Sequence, residues 1–142
     1  MLAVANLADL LGLSANRLTS PLGLVSRIES GLPVGALERI VRLVAPDDRQ
    51  FKYRLVPRAT LERRKRGGLS LSPEEGMRVV RLARVWDLAV DVWQNEREAR
   101  DFLFRQHAML EDRLPVDIVI QNEIGAELVI DILQALKYGS AA

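Results

Sequence analysis

Residues 72–93 read SPEEGMRVVRLARVWDLAVDVW, and this segment carries the sharpest helix signal in the chain. Ser72 stands at the N-cap position, Pro73 at the first helical position and Glu75 at the third, which together make a capping box. Apolar residues then recur at helical spacing and form one stripe, namely Val79, Leu82, Ala83, Trp86, Val90 and Trp93. We predict a long helix in which Trp86, Val90 and Trp93 belong to the core or to a dimer interface, with Met77–Trp93 as the first candidate for that interface.

Shorter helices are predicted upstream of this segment. One opens at Pro33 and ends before Pro46, and Asp47 and Asp48 are positioned to cap a second short helix. A third covers residues 57–66, and two glycines stop it. Three helices of this size with tight breaks are typical of a helix-turn-helix. Residues 1–31 hold two weaker helical segments, 3–13 and 22–28, which we interpret as a packing or oligomer-forming arm.

Helices are also predicted downstream, over residues 97–104, 115–120 and 123–138. Gly125, near the start of the last one, favours a close backbone approach. That helix is predicted to place several apolar residues on one face, namely Leu128, Val129, Ile132, Leu133 and Leu136. No strand alternation of useful length is present, so the sequence predicts an all-α fold.

The amino-acid composition excludes several classes of function for this chain. The chain has 142 residues, 49% of them hydrophobic and 27% charged, which is typical of a soluble globular protein. It contains no cysteine, so a disulfide framework or a thiolate zinc site is excluded, and we expect a cytoplasmic protein. No apolar run approaches the length of a membrane span. His107 is the single histidine and no phosphate-binding glycine loop is found, so we expect neither enzyme activity nor a metal or cofactor.

Charge is distributed unevenly along the chain, although the net charge is only +1. Residues 52–66 contain seven basic side chains and one acidic one, whereas residues 111–142 contain six acidic and two basic ones. Such polarisation offers two different partners two different surfaces.

The basic segment indicates nucleic-acid binding. In residues 57–66, PRATLERRKR, Ala59 and Leu61 are predicted to pack inward. Guanidinium groups and a hydroxyl on the outer face suit entry into the major groove, with the helix end and the preceding helix contacting phosphates. The predicted DNA-binding residues are Lys52, Arg54, Arg58, Thr60, Arg63, Arg64, Lys65 and Arg66, of which Arg58, Thr60, Arg63 and Arg64 are expected to face outward.

Short motifs in a fixed order resemble the Xre/MbcA/ParS antitoxins. They are Gly31-Leu32-Pro33, RATLERRK at 58–65, LSPEE at 71–75, RLARV at 81–85, RLPVD at 113–117, GAELV at 125–129 and Tyr138-Gly139. The similarity covers roughly residues 31–140. Gly76 stands where that family commonly has Ser, and Asp112 where it commonly has Gly.

This resemblance implies an Xre-like helix-turn-helix that represses its own operon, followed by a small helical toxin-binding domain. It also implies a RES-domain toxin that consumes NAD as the partner, with the antitoxin covering the entrance to the toxin's active site. The domains are then expected at residues 1–31 (arm), 32–70 (DNA-binding region) and 71–142 (toxin-binding region). The candidate toxin-binding residues are Asp117, Val129, Leu133, Lys137, Tyr138 and Gly139.

Two other functions stay open at this point. The chain could be a stand-alone dimeric helix-turn-helix regulator, or a structural adaptor that binds protein alone. A homodimer, or a larger hetero-oligomer with toxin, is expected for either DNA-binding hypothesis, since specific operators usually pair two half-sites.

Overall fold

The computed structural model describes residues 4–14 and 20–139. The predicted helix start at residue 3 and the terminal residues 140–142 lie outside this range. The described residues form helices, together with one isolated bridge between His107 and Arg113, which confirms the all-α prediction.

The helices follow each other with short connections. In chain order they are α1 (Val4–Leu11), α2 (Pro21–Ser30), α3 (Val34–Val44), α4 (Lys52–Leu55), α5 (Arg58–Gly67), α6 (Pro73–Trp93), α7 (Glu96–Leu103), a 3-10 turn (Ala108–Leu110), α8 (Pro115–Gln121) and α9 (Glu123–Tyr138). None of the helices in the described ranges combines the length and the apolar character that crossing a bilayer requires.

Helix α6 lies at the centre of the fold. Its capping box forms as predicted, because the Ser72 hydroxyl accepts from the Glu75 backbone N–H and the Glu75 carboxylate accepts from the Ser72 N–H. It contacts α1, α2, α3, α4, α7, α8 and α9. Trp86 is fully buried, while Val90 and Trp93 are half-buried against the same core. Both tryptophans therefore pack against the core, whereas an interface between copies along α6 stays a prediction.

Two glycines permit close helix packing. A Cβ at Gly76 would lie 3.3 Å from the Ile28 side chain of α2, which explains why a weak helix former occupies the first turns of α6. At Gly125 a Cβ would lie 2.6 Å from the carbonyl oxygen of Ile118. The backbone of α9 therefore packs closely against Ile118 of α8, which is the predicted close approach.

The α4–α5 region departs from prediction in two details. Helix α4 begins at Lys52 without a side-chain cap, and Asp48 instead accepts a hydrogen bond from the Gln50 backbone N–H at 2.9 Å. In α5, Leu61 is buried as predicted but Ala59 is exposed. Residues two apart in a helix point about 200° apart, so Ala59 and Leu61 cannot share an inward face.

Candidate nucleic-acid interface and partner-binding surface

The outer face of α5 carries exposed cations. Arg63 and Arg66 are one turn apart and point away from the buried Leu61. Neither forms an ion pair or a side-chain hydrogen bond with any other residue in the described ranges. Thr60 lies beside them and is half-buried. This face is therefore available to an anionic partner.

Arg58 is exposed at the N-terminus of α5 but held in place. Its guanidinium carbon lies 4.1 Å from the centre of the Tyr53 ring, and its Nη2 donates to the Gln50 side chain at 2.8 Å. Glu62, one turn along, is 3.9 Å away. Because more than half of the side chain stays accessible, these contacts orient a cation without enclosing it.

Arg64 is turned inward, contrary to the expectation that it faces outward. Its Nε lies 2.7 Å from Glu75 Oε1 and its Nη2 donates to Oε2 at 3.1 Å, with the side chains only 18% and 9% exposed. Arg64 follows Leu61 by three residues, so the two share the inner side of α5. One hydrogen bond and a second, closer N···O contact thus fasten α5 to the first turn of α6.

The Glu75 carboxyl is consequently held ionised. Burial raises its pKa, but hydrogen bonds from Arg64 and the Ser72 backbone, together with the Arg64 charge, lower the pKa below its ordinary value. A second tether joins α5 to α3, where Lys65 Nζ lies 3.3 Å from Glu38 Oε2.

The two predicted cations of α4 differ in their surroundings. Lys52 is half-buried beside the Tyr53 ring. Arg54 forms an ion pair with Asp117, in the first turn of α8. Arg54 was predicted to bind DNA and Asp117 to bind toxin, so the structure brings one candidate of each set into direct contact.

Helix α9 has a second apolar face that the sequence did not separate from the first. Val129 and Leu133 are fully buried against the core, so a partner cannot reach the side chains of these two predicted toxin-binding residues in this structure. On the other side, Ile124, Leu128 and Leu136 are between 51% and 75% exposed, and Ile132 is half-buried. These four residues recur every four positions and form a continuous ridge, the α9 stripe.

The acidic character of this region is partly neutralised. Glu123 and Glu127 at the start of α9 face Arg84 of α6 at 3.9 and 3.4 Å, and Arg81 lies 3.7 Å from Glu123. Arg81 also donates to the carbonyl oxygens of Val119 and Ile120, which fixes the end of α8. The six acids counted in the sequence therefore serve in part as internal partners.

The C-terminal end of α9 borders a groove of about 660 Å³ between α1, α6 and α9. Lys137 forms an ion pair with Asp91 across it, and the hydrogen bond to Asp91 raises the pKa of Lys137. Asp87 lies in the same groove, and burial and the nearby Asp91 charge raise its pKa. Tyr138 is 74% exposed, and Gly139 follows it with a positive φ. Lys137, Tyr138 and Gly139 thus lie together at an accessible helix end.

No grouping of three or more histidine, aspartate or glutamate residues that could hold a metal ion exists in the described part of the chain.

Comparison with known proteins separates the chain into two matched regions. Residues 23–84 match the antitoxin Xre-like helix-turn-helix domain, and residues 88–139 match the antitoxin Xre/MbcA/ParS C-terminal toxin-binding domain. A protein named antitoxin Xre from Yersinia enterocolitica is 30% identical over 131 residues, which cover 91% of this chain and 86% of that protein. The first region contains the basic face of α5, and the second contains the α9 stripe.

Proposed function

Since the chain belongs to the Xre family of antitoxins, with a helix-turn-helix and a C-terminal toxin-binding domain, we propose that it neutralises a RES-domain toxin that consumes NAD. In this proposal the C-terminal region covers the entrance to the toxin's active site, and the basic face binds the DNA of the antitoxin's own operon in the cytoplasm. The observation that carries the proposal is the accessible end of α9, where an exposed apolar ridge leads to Lys137, Tyr138 and Gly139.

The α9 stripe is suited to anchor the toxin. Contiguous exposed apolar side chains on a small protein mark interaction sites, and this ridge lies within the region matched to the toxin-binding domain. Asp131 lies on the same helix and adds a polar rim. Tyr138 is the single exposed aromatic residue among those described on α9, and tyrosine is enriched among residues that dominate binding energy. Binding would thus come from the stripe and occlusion from the helix end.

Anchoring and occlusion can be tested separately with the toxin encoded beside this gene. Leu128→Glu combined with Leu136→Glu places two charges in the stripe, and we expect at least a hundredfold weaker complex by calorimetry. Leu22→Glu is the matched control, because Leu22 is 72% exposed but lies on α2. Removing residues 138–142 should leave a complex that still consumes NAD. Full inhibition by the truncated chain would contradict occlusion, and unchanged binding by the double variant would contradict the stripe.

For DNA we propose contacts from the exposed part of the basic segment. Arg58, Thr60 and Arg63 face the major groove, whereas Arg66 and Lys52 contact phosphates. Arg64 and Lys65 hold α5 against α6 and α3.

Electrophoretic mobility shifts with the operon promoter at several salt concentrations test this assignment. Each lost phosphate contact lowers the salt slope by about 0.9, so we expect that change for Arg66→Ala. Arg63→Ala should relax base specificity, at a cost of about 1–3 kcal/mol. Arg97→Ala, an exposed arginine of α7, is the control and should change neither quantity. Operator binding that does not depend on salt would refute the interface.

We also propose that two copies occupy one operator, either as a dimer or within a larger complex with toxin. The partly exposed side of α6, which includes Met77 and Asp91, remains the candidate for the contact between copies. Light scattering of the chain with and without toxin tests this proposal.

A further inference from the structure

Two residues outside α5 hold the side chain of Arg58, the first residue of that helix. Tyr53, in the short helix α4, lies half-buried against the core, and its ring centre is 4.1 Å from the guanidinium carbon. Gln50, in the turn before α4, accepts a hydrogen bond from Arg58 Nη2 at 2.8 Å. A cation–π contact and a hydrogen bond are independent of each other, and together they restrain the orientation of the whole guanidinium group.

Both holding residues are themselves fixed by the fold. The Gln50 backbone N–H donates to the Asp48 side chain at 2.9 Å, and the Gln50 carbonyl oxygen accepts from the Tyr53 N–H at 3.0 Å. Phe51, which lies between them in the chain, is fully buried. The positions of Gln50 and Tyr53 are therefore set without any contribution from Arg58.

Most of the hydrogen-bonding capacity of Arg58 stays available. A guanidinium side chain carries five N–H donors, and one of them serves Gln50. Arg58 Nη1 lies 3.9 Å from Glu62 Oε1, which is beyond hydrogen-bond distance, and more than half of the side chain is exposed. Among the residues that the structure describes, no other acceptor meets these donors. Arg58 thus presents oriented N–H groups at the N-terminus of α5, the end that helix-turn-helix proteins direct at base edges.

We propose that Tyr53 and Gln50 are positioning residues, which orient Arg58 to read a guanine in each operator half-site. A flexible point charge such as a lysine suffices for a phosphate, whereas a base edge requires donors at defined positions. In the major groove only guanine presents two neighbouring acceptors, O6 and N7, and these match two N–H groups of one guanidinium. This role rests on the proposed function, because it concerns the base that the DNA-binding region reads.

The size of the effect follows from the freedom that Arg58 would lose on binding. Immobilising a long side chain at an interface costs a free energy that corresponds to about three- to tenfold in affinity, and a side chain that is already restrained avoids most of that cost. Removing either holding contact should therefore weaken the guanine contact by up to this factor. An operator without the guanine should not respond, because only the guanine contact depends on the orientation of Arg58.

The first experiment locates the guanine by mobility shifts, at a salt concentration where wild type and Arg58→Ala both bind. Single guanines of the operator are replaced in turn by 7-deazaguanine, which keeps O6 but lacks N7. One replacement in each half-site should weaken binding of the wild type and leave binding of Arg58→Ala unchanged. Adenine at that position should weaken binding of the wild type by about 5- to 150-fold. If no guanine met both conditions, the assignment of guanine to Arg58 would be overturned.

The second experiment measures the affinity ratio between the guanine operator and the adenine operator. Gln50→Ala and Tyr53→Leu should each lower this ratio about three- to tenfold. Tyr53→Phe keeps the aromatic ring, so its ratio should stay within about twofold of the wild type. Gln106→Ala removes an exposed glutamine after α7 and is the matched control. Gln50 is exposed as well, so both glutamine variants should keep a thermal midpoint near that of the wild type.

The affinity ratio separates positioning from folding. A purely structural role of Tyr53 would lower the affinity for both operators together and leave their ratio unchanged. An unchanged ratio in Gln50→Ala or in Tyr53→Leu would overturn the positioning role of that residue, while the proposed DNA binding would stand. Absence of any salt-dependent operator binding by the wild type would instead refute the proposed DNA-binding function, and the positioning role with it.

Discussion

Arg64→Ala is expected to destabilise the whole chain, because it leaves the Glu75 carboxylate almost enclosed and without its cation. Truncating one member of a fully buried ion pair costs about 3–5 kcal/mol, and exposed pairs contribute about 1 kcal/mol or less. The pair here is 18% and 9% exposed and is joined by one hydrogen bond, and the Ser72 N–H would still donate to Glu75 after the substitution. We therefore expect a loss of about 2–3 kcal/mol in the free energy of unfolding at pH 7.

The pH dependence gives this prediction a second readout. The pKa of folded Glu75 lies below its unfolded value of 4.5, so the pair's stabilisation is present above about pH 4.5 and is lost as pH falls through the folded pKa. Removing Arg64 takes away two of the causes that lower the Glu75 pKa, so that pKa is higher in the variant than in the wild type and the variant loses less stability as pH falls. The difference in unfolding free energy between wild type and variant should shrink from pH 7 towards pH 4.

Thermal and urea denaturation followed by circular dichroism measure both effects. For a chain of this length the loss corresponds to a melting point lower by about 7–10 °C at pH 7. Arg66→Ala removes the same charge from the exposed face of α5 and should stay within about 0.5 kcal/mol of the wild type. If Arg64→Ala and Arg66→Ala had the same melting point, or if the gap between Arg64→Ala and the wild type did not depend on pH, Arg64 would not anchor α5.

Three further predictions concern packing and charge. Gly125→Ala should lower the free energy of unfolding in urea by about 1–3 kcal/mol, since its Cβ would press on an α8 carbonyl oxygen. At Gly35 an added Cβ meets no atom within 4 Å, so Gly35→Ala should raise that free energy by about 0.4–1 kcal/mol. Asp87→Asn should raise the melting point at pH 7, and raise it less near pH 4. The reason is that burial raises the Asp87 pKa, so the free-energy cost of the ionised carboxylate grows as pH rises. A lower melting point of the variant at pH 7 would contradict this prediction. Trp86→Ala should cost about 3–5 kcal/mol by thermal melting, and the half-buried Trp93→Ala clearly less; equal losses would contradict the burial described here.

Local signals in the sequence predicted the helices well. The capping box depends on residues three apart, and Ser72, Pro73 and Glu75 form it as predicted. Helix α9 was predicted with the bounds that the structure has. Both features depend on contacts within a few residues, which spacing alone determines.

Faces of helices were harder to assign. Ala59 and Leu61 were both assigned inward although their two-residue spacing sends them to opposite sides. In α9 the apolar residues outnumber what one face can hold, and the periodicity does not tell whether Val129 or Leu128 faces the core. The core of α6, α8 and α9 decides that question through tertiary contacts.

Ion pairs between distant segments could not be predicted at all. Lys65 with Glu38 and Arg54 with Asp117 join residues that no local rule relates. As a result the sequence analysis treated seven cations as one surface, whereas in the folded chain four of them form ion pairs with carboxylates of the same chain.

The boundary between the two matched regions, at residues 84–88, falls inside α6 rather than in a loop. An unbroken helix with a continuous backbone ladder does not act as a hinge. The two matched regions are therefore held in one relative orientation by α6 and are not joined by a flexible linker. In the proposed function this continuity would set the angle between operator and toxin when the chain folds, and the spacing of half-sites along the duplex would then dictate how far apart two bound toxins are held.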